Sequence, residues 1–333
     1  MTGRRDRQLM ARAVSLAEDA WGSTAPNPAV GCVLAQDGRV IAEAATAPGG
    51  RPHAEQAALQ KAGGNARGAT AYVTMEPCAH HSDRGPPCAA GLAEAGVARV
   101  VIARLDPSER NHAEGAKLLE RAGIAVEVGL MAEEAAPITA GWEFRLVHGR
   151  PRVTGKFALS IDGRIALGSG ESQWLTSEAA RIHAHMERAR ADMIIVGRGT
   201  LEADDPALTV RVPGHEHRSP RPIVLTATLD RVPPHHKLAA RDPLILASPQ
   251  AIDRLKVNDA LLEGGMQAAT AFLKADRVDR LMIYRAPILV GNDGLPATGL
   301  IGAQHLSELH NRWRRTHVEA LGPDLREVYE RVR

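Results

Sequence analysis

Two short stretches hold the side chains best suited to chemistry: RPHAEQAAL at residues 51–59 and TMEPCAHHSDRGPPCAAGL at residues 74–92. The chain has three cysteines, and two of them, Cys78 and Cys88, fall in the second stretch. Neutral imidazole from His53 with thiolates from Cys78 and Cys88 would leave a tetrahedral zinc ion one position short, the mark of a catalytic rather than a structural site. Two thiolates cancel the ion's charge, so a water at the open position is only moderately acidified and a nearby base helps. Glu55 is that base, two residues beyond His53 at the same expected helix start. Cys78, after a strand, and Cys88, after Pro86-Pro87, are both expected near helix N-termini, where the dipole favours thiolate. Singly, each feature has a plainer reading: a histidine before a helix is a cap, and cysteines beside a Pro/Gly-rich loop are inert. The combination of His-x-Glu, then Glu-Pro-Cys, then a further Cys is what points to a metal.

The elements around these residues alternate. Residues 6–20 have helical periodicity with Leu9, Ala13, Leu16 and Ala17 on one face. APNPAVGCVLAQDGRVIAEA reads as turn, strand, Asp-Gly hairpin and strand. HAEQAALQKAG is a helix stopped by Gly63-Gly64, ATAYVTM a strand, and PPCAAGLAEAG a helix with proline at its start and glycine at its end. RVVIAR, GAKLLERAG and IAVEVGL follow as strand, helix and strand, an α/β layered domain ending near residue 145. A boundary follows in VHGRPRVTGKFALS, and the alternation resumes with RVTGKFALSIDGRIA, a helix over about Ser177–Ala191, MIIVG, PIVLT, LILAS, a helix after Gly265, and RLMIYRAPILVG. Two domains are expected, 1–146 and 150–333, with no repeat relating them.

Bulk properties exclude several classes. A chain of 333 residues is too long for one ordinary core. A formal charge of +2 with no long run of like charges argues against a polyanion-binding stripe, so no nucleic-acid partner is expected. The densest basic cluster, RWRR at 312–315, reads as a solvated helix face. No apolar run reaches the ~18 residues a membrane span needs. The N-terminal segment carries acids inside its helical pattern and lacks the apolar core of a signal peptide. Three cysteines do not make a disulfide framework, and a cytoplasmic location is expected; Cys32, in AVGCVLA, reads as core.

The second half has no G-x-G-x-x-G after a strand. It has KFALSIDGRIALGSGESQWLTS at 156–177, VGRGTLEADDPALTVR at 196–211 and LLEGGMQAATAFL at 261–273. Each glycine-containing turn follows an apolar strand, so backbone amides can face an anion at a helix start, most clearly where Glu263-Gly264-Gly265 opens a helix. Arg188 is suited to a phosphate; its plainer reading is an ion pair with Glu187 or Asp192. Asp204-Asp205 could be a turn before Pro206, and Trp174 could be core.

PNPAVG at 26–31, PHAE at 52–55 and EPCAHHSDRGPPC at 76–88, followed by SGESQW and ADDPALTVR, resemble the bifunctional riboflavin-biosynthesis deaminase–reductases. His-x-Glu followed by Pro-Cys is the zinc-deaminase signature. The resemblance implies an α/β chain: an N-terminal cytidine-deaminase-like α/β/α domain and a C-terminal dihydrofolate-reductase-like α/β domain. It implies zinc on His53, Cys78 and Cys88, with Glu55 moving a proton from the attacking water to the departing amine of a phosphoribosylamino-pyrimidine. Asn27, His80 and His81 would hold that pyrimidine and its phosphate. In the second domain NADPH would reduce the ribose to a ribityl chain. Ala158, Trp174, Thr200, Asp204 and Thr228 would line the cofactor. The segment Gly265, Met266, Gln267, Ala268, Ala269, Thr270 and Ala271 would cradle its phosphates. Ser172, Arg188, Leu208, Arg211 and Glu263 would contact the substrate, a small phosphorylated pyrimidine. The chain departs from the family pattern at Ala45-Thr46, in DPSERNH at 106–112, and by one residue in the loop between the cysteines, all outside the zinc ligands.

Two other readings compete. One is a different nucleobase or nucleoside deaminase with an appended, inactive nucleotide-binding domain. The other is a non-catalytic, zinc-stabilised binding protein, which a fourth ligand from His80 or His81 would favour. Linking both domains in one chain requires no obligatory partner and is compatible with a homo-oligomer.

Overall fold

The computed structural model describes residues 3–81 and 85–333, and the chain divides into two compact units, Met1–His148 and Gly149–Arg333. In the first unit, α1 (Arg4–Ala20) precedes β1 (Gly31–Gln36) and β2 (Arg39–Ala45), joined through Asp37 and Gly38. Both turn residues have positive φ, 52° and 74°, which matches the twist of a two-residue hairpin. There follow α2 (Ala54–Ala62), β3 (Thr70–Val73), α3 (Cys88–Glu94), β4 (Arg99–Ile102), α4 (Glu114–Arg121), β5 (Ala125–Val128) and α5 (Ala132–His148). The sheet order is β2-β1-β3-β4-β5, with β1 antiparallel to both neighbours and β3, β4 and β5 parallel.

Strand alternation sorts this core into two faces. Cys32, Leu34, Val73, Val100 and Ile102 pack with Ala54 and Ala58 of α2, Leu92 of α3 and Leu119 of α4. Val33, Ala35, Tyr72 and Val101 point the other way, onto Leu9, Met10, Ala13 and Ala17 of α1 and Ala135 and Ile138 of α5. The result is a three-layer α/β/α unit. Helix α5 was not anticipated; it carries Pro137 inside, covers the second face, and extends the unit to His148.

The second unit contains β6 (Arg152–Leu159), β7 (Arg164–Ala166), α6 (Glu178–Ala189), β8 (Met193–Gly197), α7 (Arg198–Asp204), β9 (Arg221–Leu225), β10 (Leu244–Leu246), β11 (Asp259–Leu262), α8 (Met266–Lys274), β12 (Arg280–Arg285), β13 (Leu295–Pro296), β14 (Trp313–Leu321) and β15 (Asp324–Arg331). An eight-stranded sheet runs β10-β9-β8-β11-β6-β12-β15-β14; the strands from β10 to β12 are parallel, and β15 and β14 add on antiparallel. Helix α8 covers one face through Ala268 and Phe272, α7 the other through Leu201, and α6 packs by Ala180 on Met282, Tyr284 and Val328. The RWRR cluster is not on a helix: Trp313–Arg315 begin the edge strand β14, whose residues are mostly exposed, so charge there reflects solvent on both sides. Among the described residues no helix is long and apolar enough to cross a membrane.

Candidate functional site

His53 is the N-cap of α2 and does not use its ring to cap. Gln56 serves that end instead: its Oε1 accepts the His53 N–H at 3.3 Å and its Nε2 donates to the Pro86 carbonyl at 3.2 Å. The bridge ties the start of α2 to the segment entering α3. The freed imidazole presents Nδ1 to both thiols, 3.3 Å from Cys88 Sγ and 3.8 Å from Cys78 Sγ. One ligand atom from each of His53, Cys78 and Cys88 lies within 4.8 Å of the others.

Cys88 is the first residue of α3, but Cys78 is not at a helix start of its own. It lies in the loop after β3, and its sulfur accepts the Cys88 backbone N–H at 3.3 Å, so both sulfurs share one helix end. The hydrogen bond from Cys88, with His53 and that N–H, pulls the Cys78 thiol down to about 4, while the same bond, burial and nearby Glu55 push the Cys88 thiol up. Two sulfurs sharing one proton around an imidazole are a donor set that a divalent ion completes by displacing that proton. The residues fit zinc with three protein ligands. Neither His80 nor His81 joins this group among the described residues, which removes the support for a closed four-ligand site. His80 is half-buried, with no hydrogen-bond partner at Nδ1 among the described residues, and His81 is exposed; Ser82–Arg84 of the same loop lie outside the described residues.

Glu55 is in the first turn of α2 and only 3% exposed. Burial pushes its carboxyl up to about 7, against the opposing charge of His53, and its carboxylate accepts a hydrogen bond from Cys88. Asn27 Nδ2 lies 3.1 Å from His53 Nε2 and 2.8 Å from the Gly50 carbonyl, so this residue, expected at the pyrimidine, also braces the outer edge of the ligand ring.

The glutamate of Glu-Pro-Cys has a role the motif did not reveal. Buried Glu76 accepts backbone N–H groups of Asp106, Ala113 and Ala116, each at 3.0 Å. Asn111, fully buried, accepts the Ala79 N–H through Oδ1 at 2.7 Å and donates to Asp106. A Cβ on Gly115 would stand 1.9 Å from the Pro77 carbonyl oxygen, so only glycine lets α4 close onto the ligand loop. The altered 106–112 segment is thus bolted to the residues on either side of Cys78.

In the second unit the C-terminal half of β6 buries Phe157 and Leu159 and leaves Lys156 and Ala158 on the other face. Arg188 does not pair with Glu187 or Asp192: its Nε and Nη2 clasp both oxygens of Glu263, at 2.7 and 2.8 Å, and Nη1 donates to the Thr209 carbonyl at 3.0 Å. Lys156 Nζ stands 3.3 Å from Glu263. Burial opposes charge on Glu263, yet these two cations hold its carboxyl well below the usual range. Lys156 was missed, although a lysine inside an otherwise apolar strand was a visible signal.

Gly265 is the N-cap of α8; its N–H donates to Thr200 Oγ1 at 3.2 Å, leaving the first-turn amides at Met266, Gln267 and Ala268 at the helix start. A Cβ on Gly264 would lie 2.6 Å from Ala268 Cβ, so the close approach of this turn to α8 requires glycine there. Ala268 and Ala269 are buried in the core and can meet a ligand only through backbone. The Thr270 hydroxyl donates to the Met266 carbonyl and accepts the Gly299 N–H. Thr228 Oγ1 accepts from Arg198 at 2.7 Å. Asp204 is exposed, whereas Asp205 is the left-handed end of α7 and holds His236 and Lys237. Trp174 is not core: it is 62% exposed, with the Arg181 guanidinium 4.6 Å from its ring centroid. Ser172 and Arg211 are exposed, while the Leu208 side chain is buried with Val224 and Leu238.

Fold and site together define a deaminase-type zinc-binding unit joined to a reductase unit of dihydrofolate-reductase-like architecture. Residues 4–104 match the family described as the cytidine and deoxycytidylate deaminase zinc-binding region, and residues 151–326 match the RibD C-terminal domain. The chain is 37% identical to riboflavin biosynthesis protein RibD of Escherichia coli, over 96% of this chain and 98% of that one. It is 39% identical to RibD of Mycobacterium tuberculosis, over 96% and 95%. Among solved structures, Acinetobacter baumannii RibD superposes with a TM-score of 0.82 at 34% identity, covering 99% of both chains. A Thermotoga maritima diaminohydroxyphosphoribosylaminopyrimidine deaminase/5-amino-6-(5-phosphoribosylamino)uracil reductase gives 0.81 at 28% identity, covering 98% of both. The chain belongs to the RibD family of riboflavin biosynthesis proteins, bifunctional enzymes that are pyrimidine deaminase and reductase in one polypeptide.

Proposed function

We propose that the first unit deaminates 2,5-diamino-6-(5-phosphoribosylamino)pyrimidin-4(3H)-one, and that the second reduces the resulting ribosyl compound with NADPH to 5-amino-6-(5-phosphoribitylamino)uracil. The observation that carries the deaminase half is the convergence of His53, Cys78 and Cys88 beside buried Glu55. His53, Cys78 and Cys88 would hold a zinc ion, which would supply Lewis acidity toward the water that attacks the ring carbon bearing the amine. Glu55 takes a proton from that water at its carboxylate and passes it to the departing nitrogen, which leaves as ammonia. A carboxyl group held near neutrality by burial suits both transfers. Asn27 steadies the His53 ring, and His80 and His81 border the substrate loop.

In the second unit NADPH, when bound, would supply the hydride for the sugar carbon C1′. The first-turn amides of α8 and the Gly264–Gly265 turn take the diphosphate, with Ala158, Trp174, Thr200, Asp204 and Thr228 along the dinucleotide. Lys156, on the same face of β6 as Ala158 and beside Glu263, gives the proton taken by the sugar ring oxygen as its bond to C1′ breaks. Ser172, Arg211, the backbone at Leu208 and the Arg188–Glu263 pair form the substrate side.

The test is a coupled assay on the purified full chain. Ammonia release from the diaminopyrimidine should require zinc, be lost after chelation and return on adding zinc. NADPH oxidation should then follow at 340 nm and persist, with pre-deaminated substrate, in the chelated protein. Ammonia release from zinc-free protein, or NADH serving as well as NADPH, would sink the corresponding half.

A further inference from the structure

One stripe of α6 joins three candidate-site segments that are far apart in sequence. Arg181, His185 and Arg188 lie at helical spacings that place them on one face. Arg181 covers Trp174 and donates to the Thr176 carbonyl at 2.6 Å. Arg188 clasps Glu263 and the Thr209 carbonyl. Between them, His185 Nδ1 accepts the backbone N–H of Arg211 at 3.2 Å and stands 3.5 Å from Arg188 Nη1.

With N–H donors converging on Nδ1, that nitrogen carries the lone pair and Nε2 the ring proton. The charged groups facing the ring are Arg188 from its own helix, Arg211 from the segment after Leu208, and Glu263 from the end of β11. Burial, Arg188 and Arg211 bring the imidazole down to about 4, with Glu263 and the Thr209 backbone opposing, so the ring stays neutral and keeps its acceptor at physiological pH. A protonated ring would turn a donor toward the Arg211 N–H and put a third cation between two guanidiniums.

We propose that His185 is a positioning residue of the reductase reaction, a neutral acceptor that fixes the Arg211 backbone so that the exposed Arg211 guanidinium meets the phosphorylated end of the substrate. The inference rests on the assignment of Arg211 to the substrate and goes beyond it by naming what holds Arg211 in place. Histidine suits the post because it accepts at one nitrogen without carrying charge, which neither lysine nor leucine can do.

The test uses the full chain with His185→Leu, His185→Gln and Arg211→Ala. It follows kcat and KM for pre-deaminated substrate with and without its phosphate, and NADPH Kd by fluorescence titration. His185→Leu should raise KM for the phosphorylated substrate about 10- to 100-fold, with kcat and NADPH Kd within about twofold, since misplacing a binding group by about 1 Å costs that much. KM for the dephosphorylated substrate should not move. His185→Gln, whose Oε1 can accept the Arg211 N–H, should restore most of the loss. Arg211→Ala reads the underlying assignment separately: an unchanged KM there refutes the role of Arg211 and the proposal with it. If Arg211→Ala raises KM, the positioning role alone is overturned by any of three results: a wild-type KM in His185→Leu, a Gln variant no better than Leu, or NADPH binding that falls in step with KM.

Discussion

Glu76→Gln is the sharpest perturbation of the metal loop that leaves every proposed ligand in place. The carboxylate spans three N–H groups, Oε2 taking Asp106 and Ala113 and Oε1 taking Ala116. An amide can keep one oxygen only. With that oxygen on Asp106 and Ala113, its NH2 faces the Ala116 N–H, a buried donor against a donor. Losing one hydrogen bond to a charged acceptor costs about 1.5–3 kcal/mol, and the two survivors weaken as the charge goes, for a total of about 3 kcal/mol. For a unit of this size that is a fall in Tm of roughly 5–12 °C. Because the same carboxylate sets the loop that meets Ala79 beside Cys78, zinc affinity should fall about 10- to 100-fold, as when a partner behind a metal ligand is removed. Thermal unfolding of the full chain, with zinc competition against a chromophoric chelator, reads both. A Glu76→Gln protein that melts with wild type and holds zinc equally well would refute the reasoning.

Other predictions follow from single contacts. Gly264→Ala puts a Cβ 2.6 Å from Ala268 Cβ at the α8 start, so NADPH Kd in a fluorescence titration should rise by about tenfold or more while ammonia release is unchanged. Asp6 is held down to about 2, chiefly by its hydrogen bond from Arg99 with help from Tyr72 and Gly3. A depressed carboxyl stabilises the fold above its unfolded pKa and loses that contribution as pH falls from about 4 toward 2, worth about 1 kcal/mol after solvent screening. Asp6→Asn should therefore flatten the acid limb of urea-unfolding stability.

How much was legible beforehand depended on whether a residue's partner lay nearby in sequence. The strands and helices with clear period, the Asp-Gly hairpin, and the His53, Cys78 and Cys88 set could be read directly, since ligand chemistry is written in residue type. Cys78's partner was not legible, because its N–H donor comes from Cys88, ten residues on and across a loop. Glu76 entered only as a letter of the Glu-Pro-Cys motif, and only the fold brings 106–116 over it. Helix α5 was hidden by Pro137, whereas β11 was legible only as the apolar strand before the Glu263-Gly264-Gly265 turn, its run Asp259–Leu262 being too short to show a period. RWRR, where β14 begins, was misread as a helix face because an exposed edge strand carries charge on both faces and so lacks the apolar alternation of a half-buried strand. In the second unit the Gly264–Gly265 turn was readable as a helix start, but the Arg188–Glu263 clasp joins residues on different elements and has no local signature.

The proposed deamination turns on Glu55 moving the proton beside a zinc ion that His53, Cys78 and Cys88 would hold. Glu55→Gln, assayed for ammonia release, zinc content and NADPH oxidation on pre-deaminated substrate in one preparation, tests it most directly. Ammonia release should fall by about 10²- to 10⁴-fold, with zinc retained at one per chain and NADPH oxidation unchanged. Ammonia release near the wild-type rate from zinc-loaded Glu55→Gln protein would contradict it.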